Sequence, residues 1–216
     1  MTALATRGPA VHVPDARVPV PPHLLRGDGP VCLALARLAR GQLPPLPGAL
    51  LAVVVGAVLM TAGLGADPGP ALFVPVAALL LTGPAATHPH NGRFDWLVPT
   101  LVRTIEYGYL AGLGFAQRVP APLVYVLLAV LAYHHYDTVY RTRQGLRPGE
   151  WVLRAGLGWE GRTLVVAAAG LAGWLPFACA ALAAYLGGLF AGESLTTWLR
   201  TGRDSGVIVD LEEEES

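Results

Sequence analysis

His134, Asp137, Thr138 and Arg141 stand at i, i+3, i+4 and i+7, the spacing that puts four side chains on one stripe of a helix. An imidazole, a carboxylate and a guanidinium on one stripe can bind a phosphate, hold a metal, relay a proton, or satisfy one another. For a metal the stripe offers two ligands, His134 and Asp137, so Glu160 or Glu193 would have to complete the set, and no metal site is assigned. For an anion it offers Arg141, with Tyr140 and Arg143 beside it in the chain and Arg162 at the start of a later span. The plainer reading is interfacial anchoring: Tyr133, Tyr136, Tyr140, Trp151, Trp159 and Trp198 are residues that favour the headgroup level of a bilayer, and arginine snorkels toward water.

A second group sits inside an otherwise apolar run. Arg103 and Glu106, with Tyr107 beside them, interrupt the stretch Leu97 to Gln117. Counted from Leu97, Arg103 lies about 9 Å and Glu106 about 13 Å along a helix. Charges at such a depth in a membrane are costly and face a bundle interior or a wet cavity. The i, i+3 spacing allows a structural ion pair, and the same residues can line a polar path.

The elements that position both groups follow from composition. Hydrophobic residues make up 53% and charged residues 14%, with a mean hydropathy of +0.49, which places the chain in the membrane class. A bilayer core takes roughly 20 helical residues to cross. Such runs are Leu46 to Ala66, Pro70 to Ala86, Leu97 to Gln117 and Ala121 to about Asp137. The uncharged stretch from Thr163 to Gly192, about 45 Å as continuous helix, has Trp174, Leu175 and Pro176 near its middle. It divides into spans at roughly Trp159 to Trp174 and Phe177 to Leu195; a single kinked helix is the alternative. The expected fold is therefore an all-α polytopic transmembrane bundle of about six spans, with five as the other count and both termini cytoplasmic, in the plasma membrane. All fifteen basic residues are arginine. With six spans only Arg118 falls outside, as the positive-inside rule requires, whereas five would put Arg200 and Arg203 outside. Residues 1–45 read as a cytoplasmic leader rich in Pro and Arg, mostly unstructured up to residue 30, with an amphipathic helix over Val31 to Arg40. Residues 46–200 form the membrane domain and 201–216 a solvated acidic tail.

This topology gathers the polar residues onto one side. The fourth span ends in the His134 to Arg141 segment, the fifth begins at Gly158-Trp159-Glu160-Gly161-Arg162, the sixth returns with Glu193, and the third starts beside Arg93, Asp95 and Trp96. Gly108/Gly112 and Gly188/Gly192 carry the spacing that lets helices approach closely, including in a homo-oligomer. His88 and His90 flank Pro89 in a short loop. Cys32 and Cys179 lie in a cytoplasmic segment and an apolar span, so no disulfide joins them. With zero net charge and no basic stripe interleaved with aromatics, a nucleic-acid partner is not expected.

The blocks His134-His135-Tyr136-Asp137-Thr138-Val139-Tyr140-Arg141 and Gly158-Trp159-Glu160-Gly161-Arg162, with Trp151 between them, resemble an actinobacterial polytopic membrane domain of unassigned function. That domain typically lies C-terminal to a CDP-alcohol phosphatidyltransferase domain. The resemblance covers roughly Leu46 to Arg200. It implies a link to phospholipid or inositol-phosphate chemistry and a phosphatidyltransferase as partner. The transferases themselves carry D-x-x-D-G-x-x-A-R followed by G-x-x-x-D-x-x-x-D, whose aspartates hold divalent metals. Here Asp28-Gly29 precedes Ala36-Arg37 at a different spacing and no later aspartate pair follows. The chain is not expected to catalyse that transfer, and whether it is an enzyme at all stays open.

Three functions fit these residues. The first is a membrane module serving lipid headgroup metabolism, in which Arg141, Arg143, Arg162, Tyr140 and Glu193 hold a membrane lipid's headgroup and His134, Asp137 and Glu160 transfer protons; its cofactor, if any, is unspecified. The second is a small transporter or flippase with a path past Glu106 and Arg103. The third is a scaffold for a partner membrane enzyme.

Overall fold

A computed structural model describes residues 22–63, 69–143 and 150–213, with side chains from residue 24 to 199 except 143, 150 and 153. Among the described residues all regular structure is helical. The chain runs through α1 (Pro22–Arg26), α2 (Pro30–Leu38), α3 (Pro45–Gly63), α4 (Gly69–Leu72) and α5 (Val74–Thr82), which a 3-10 turn at Gly83–Ala85 extends. It continues through α6 (Leu97–Ala116), α7 (Ala121–Arg143), α8 (Glu150–Ala155), α9 (Gly158–Leu171) and α10 (Leu175–Glu213).

Proline and left-handed residues set most of these boundaries. Pro30, Pro45, Pro70, Pro75, Pro99, Pro122 and Pro176 each fall within the first three residues of a helix, where the missing N–H is one the helix leaves unbonded anyway. Pro176 therefore starts α10 rather than kinking a longer helix. The break is at Gly173, with φ +73°, where Trp174 N–H donates to the Ala169 carbonyl and Gly173 N–H to that of Gly170. Those two bonds make a Schellman stop, and the uncharged stretch 163–192 is two helices. Arg40 and Arg118 take the same left-handed position after α2 and α6.

Among the described residues two helices, α3 and Leu175–Leu199 of α10, are long and apolar enough to cross a membrane. The other helical runs coincide with the expected spans, but α4 and α5 are short, α9 has 14 residues, and α6 and α7 carry more polar residues. A six-span count thus exceeds what helix length and hydropathy establish. α3 packs on α5 and α6, α7 on α10, and α9 on both α6 and α10. The close helix approach falls elsewhere than expected. A Cβ on Gly48 would lie 2.3 Å from the Leu81 carbonyl oxygen and one on Gly63 2.6 Å from the Ala71 Cβ, whereas Gly108, Gly188 and Gly192 face nothing within 4 Å. Only Gly112 of the expected set is close-packed, under Met60.

The leader is corrected in its last part. Residues 1–21 lie outside the described residues, but α1 is helical, Leu24, Arg26 and Asp28 are buried, and α1 packs on α6 and α7. α2 is the helix expected over Val31 to Arg40, with Cys32 and Ala36 turned inward. Both cysteines are free and buried. His88 Nδ1 bonds the Gly41 carbonyl at 2.8 Å and so ties its loop to the turn after α2. The tail continues α10 as helix to Glu213.

Candidate functional site

α6 and α9 bring together a buried carboxylate and two guanidiniums. Glu106, with 0% of its surface exposed, accepts from Arg103 Nη1 at 2.6 Å through Oε2 and from Arg162 Nε at 2.7 Å through Oε1. Arg103 reaches it along one helical turn, whereas Arg162 arrives from the fifth position of α9 and also donates to the Gly156 carbonyl at 2.8 Å. One carboxylate between two guanidiniums gives this triad one positive charge in excess, partly offset at Arg103 by the nearby Asp28 carboxyl, and a positive excess is the electrostatic requirement for holding an anion. His134, His135 and Tyr107 lie within electrostatic range of Arg103 and Arg162. Three buried polar atoms here, Arg103 Nε, Tyr107 Oη and His134 Nδ1, have no hydrogen-bond partner among the described residues.

The His134 to Arg141 stripe forms a different cluster. Asp137 and Glu193 both pair with the Arg141 guanidinium, and Thr197 lies 3.4 Å from Arg141 Nη1. Tyr133 donates to Ser194 at 2.9 Å, and the His134 ring stacks on Phe190 with centroids 3.6 Å apart. These contacts join α7 to α10. Here two carboxylates share one guanidinium, so the balance is one negative charge. Both terminal nitrogens of Arg141 are engaged, although its Nε, like the Thr138 hydroxyl, is buried without a partner among the described residues; the carboxylates hold its guanidinium still more firmly protonated, through the Glu193 hydrogen bond first.

The expected single wall therefore divides in two. Glu193 joins Asp137 and Arg141, Arg162 joins Glu106 and Arg103, and Glu160 joins neither. Tyr140 is partly exposed and stacks on Tyr136, and the Arg143 side chain lies outside the described residues. Trp151, Trp198, Tyr133 and Tyr136 are exposed as a belt residue would be, but Trp159 is fully buried. Among the described residues no three His, Cys, Asp or Glu side chains converge as metal ligands would.

Trp159 and Glu160 instead receive the strap Arg26-Gly27-Asp28-Gly29, which sequence reasoning passed over. The Trp159 indole N–H donates to Asp28 Oδ1 at 2.9 Å, and its backbone N–H to the Gly27 carbonyl at 3.0 Å. The Glu160 carboxylate accepts the backbone N–H groups of Gly29 at 3.0 Å and Cys32 at 3.2 Å, capping α2 from another helix. Arg26 pairs with Asp28 at 3.0 Å and donates to the Thr82 and Ala85 carbonyls. Burial pushes the Asp28 carboxyl above the usual carboxylate range, against Arg26, the indole and Arg103, which lower it. Burial likewise raises the Cys32 thiol. The available signal was a charge pair flanked by glycines just ahead of a proline-started helix.

Gly158 lets the two segments touch. Its φ is +65°, and an added Cβ would lie 2.3 Å from the Gly29 nitrogen and 2.4 Å from its Cα. Because the obstacle is backbone, Gly158→Ala is expected to cost about 2–4 kcal/mol from overpacking and the left-handed conformation together. Equilibrium unfolding in mixed micelles measures this, and a loss below about 0.5 kcal/mol, the range of a neutral surface change, would show that the strap is not seated there.

The family model described as a family of unknown function, DUF5941, matches residues 23–212. No curated protein and no solved structure matches the chain. The match begins within α1, takes in the strap and both charged clusters and ends within α10, so the chain belongs to the DUF5941 family of unknown function.

Proposed function

We propose that this chain is a multi-pass plasma-membrane module of phospholipid or inositol-phosphate headgroup metabolism, and that Arg103 and Arg162 hold the phosphate of an anionic lipid headgroup. The observation that carries the reading is the two-to-one ratio of guanidinium to carboxylate at Glu106, with Arg103 Nε and the neighbouring Tyr107 hydroxyl buried and without partners among the described residues. Such donors are costly in an apolar interior unless something satisfies them. The anion site is thereby centred on Arg162 and Arg103 rather than on Arg141, whose charge Asp137 and Glu193 already offset. Membrane insertion is supported by the large apolar side chains turned outward on α3, α5 and α10, among them Leu50, Leu51, Val54, Val58, Leu80 and Phe177, a surface of the kind that marks membrane or protein contact. The phosphatidyltransferase partner and the lipid context come from the resemblance of the two sequence blocks. Transport past Glu106 is the weaker reading, because both oxygens of its carboxylate are bound.

The test is retention of phosphatidylinositol phosphate against phosphatidylcholine by the purified protein, read by native mass spectrometry. The phosphorylated lipid is expected to be retained selectively. His135→Ala and Tyr107→Phe, which leave the Arg–Glu–Arg core intact, are each expected to weaken binding about tenfold, the worth of one hydrogen bond to a charge. Equal retention of both lipids, or unchanged binding in both variants, would overturn the proposal.

A further inference from the structure

The anion site just proposed is closed in this structure, and what closes it is the strap. Gly27 rests on the Arg103 guanidinium so tightly that a Cβ there would lie 2.1 Å from Nη2. α1 lies across α6 and α7, the helices that carry Arg103 and His135. With the strap in place Glu106 and Arg162 are buried and Arg103 nearly so, which leaves no room for a headgroup to enter.

We propose that Arg26–Gly29 is a lid over the arginine pair, latched by Trp159 and Glu160, and that an anionic headgroup reaches Arg103 and Arg162 only when the lid lifts. The inference rests on the headgroup reading for its ligand but not for its mechanics. The latch is largely polar: the Asp28 carboxylate on the indole, the Gly27 carbonyl on the Trp159 amide, and the Gly29 and Cys32 amides on Glu160. Water can replace each of these bonds, unlike the packing of a helix core, so local opening without unfolding of the bundle is the expected mode. The hinge is built in as well. Gly27 and Gly158 both sit at φ +65°, and Gly29 contacts Gly158 backbone to backbone, so that seam parts without moving a bulky side chain, while Arg26 has to leave the Thr82 and Ala85 carbonyls as the lid lifts. An opening lid also uncaps α2, since the carboxylate that holds Gly29 holds the first turn of that helix.

Cys32 reports the opening directly. Its side chain is wholly buried and its own amide is bonded to Glu160. In protein carrying Cys179→Ala, so that one thiol remains, maleimide modification of Cys32 is followed by intact mass in phosphatidylcholine nanodiscs, with and without added phosphatidylinositol phosphate. Glu160→Ala is expected to raise the rate at least tenfold with helix content unchanged, and the phosphorylated lipid to raise it severalfold in the protein that retains Glu160. Should Glu160→Ala fail to fold, Glu160→Gln, which keeps one acceptor oxygen, is expected to give a smaller acceleration in the same direction. A rate unchanged in a folded Glu160 variant would overturn the latch. Lipid retained on native mass spectra without faster modification would overturn the lid. If no lipid is retained at all, the headgroup reading fails, while the Glu160 variant still decides whether the strap opens.

Discussion

Glu106→Ala is expected to destabilise the protein by about 3–5 kcal/mol, the cost of leaving buried charge without its partner. The carboxylate has no solvent exposure and neutralises guanidiniums from two helices. Its removal therefore deletes hydrogen bonds and leaves Arg103 and Arg162 facing each other across the vacated space. At the 2–4 °C per kcal/mol usual for chains of this length, the melting temperature should fall by roughly 6–20 °C. The companion experiment separates charge from packing. Replacing Glu106, Arg103 and Arg162 together by leucine removes every uncompensated charge, and is expected to recover most of the loss, because a buried ion cluster contributes little net stability over an apolar equivalent. A Glu106→Ala variant within 1 kcal/mol of the parent would mean that the cluster is solvated and the site is not a closed interior.

Arg141→Met should have a comparable effect, about 3–5 kcal/mol, through the opposite charge imbalance. Methionine keeps the apolar stem that packs between α7 and α10 but leaves Asp137 and Glu193, both nearly buried, without their shared cation. The same substitution in a background carrying Asp137→Asn and Glu193→Gln is expected to cost much less, since no buried carboxylate is then left unpaired. Thermal unfolding of the four proteins measures the coupling. Additive losses would show that Arg141 does not join the two helices electrostatically.

These two clusters also show how far the site could be read in advance. The pairs Arg103–Glu106 and Asp137–Arg141 are one helical turn apart, so their contact follows from helix geometry alone once the segment is known to be helical. Arg162 joins Glu106 across 56 positions and Glu193 joins Arg141 across 52. No local rule distinguishes those two residues from Glu160, which lies two positions from Arg162 yet faces the strap. Grouping all of them at one face treated the helix ends as level, whereas the close approach of Gly158 to Gly29 places the first turn of α9 against a segment read as unstructured. Trp159 misled for a related reason. A tryptophan at a span boundary suits a membrane interface, but a buried carboxylate able to accept its indole N–H makes a core position equally satisfactory.

The sequence by itself determined where the long helical segments lie, because apolar run length acts through neighbouring residues; α1, α8 and the left-handed stop at Gly173 came only with the structure. It also marked Arg103 and Glu106 as charges in apolar surroundings, though not Arg26 and Asp28, which the fold buries. Only the tertiary structure decided how those charges are shared: two arginines on Glu106, two carboxylates on Arg141, and Glu160 spent on capping α2. The reason is that a buried charge must find an opposite partner wherever packing brings one within reach, and that distance depends on the fold rather than on sequence separation.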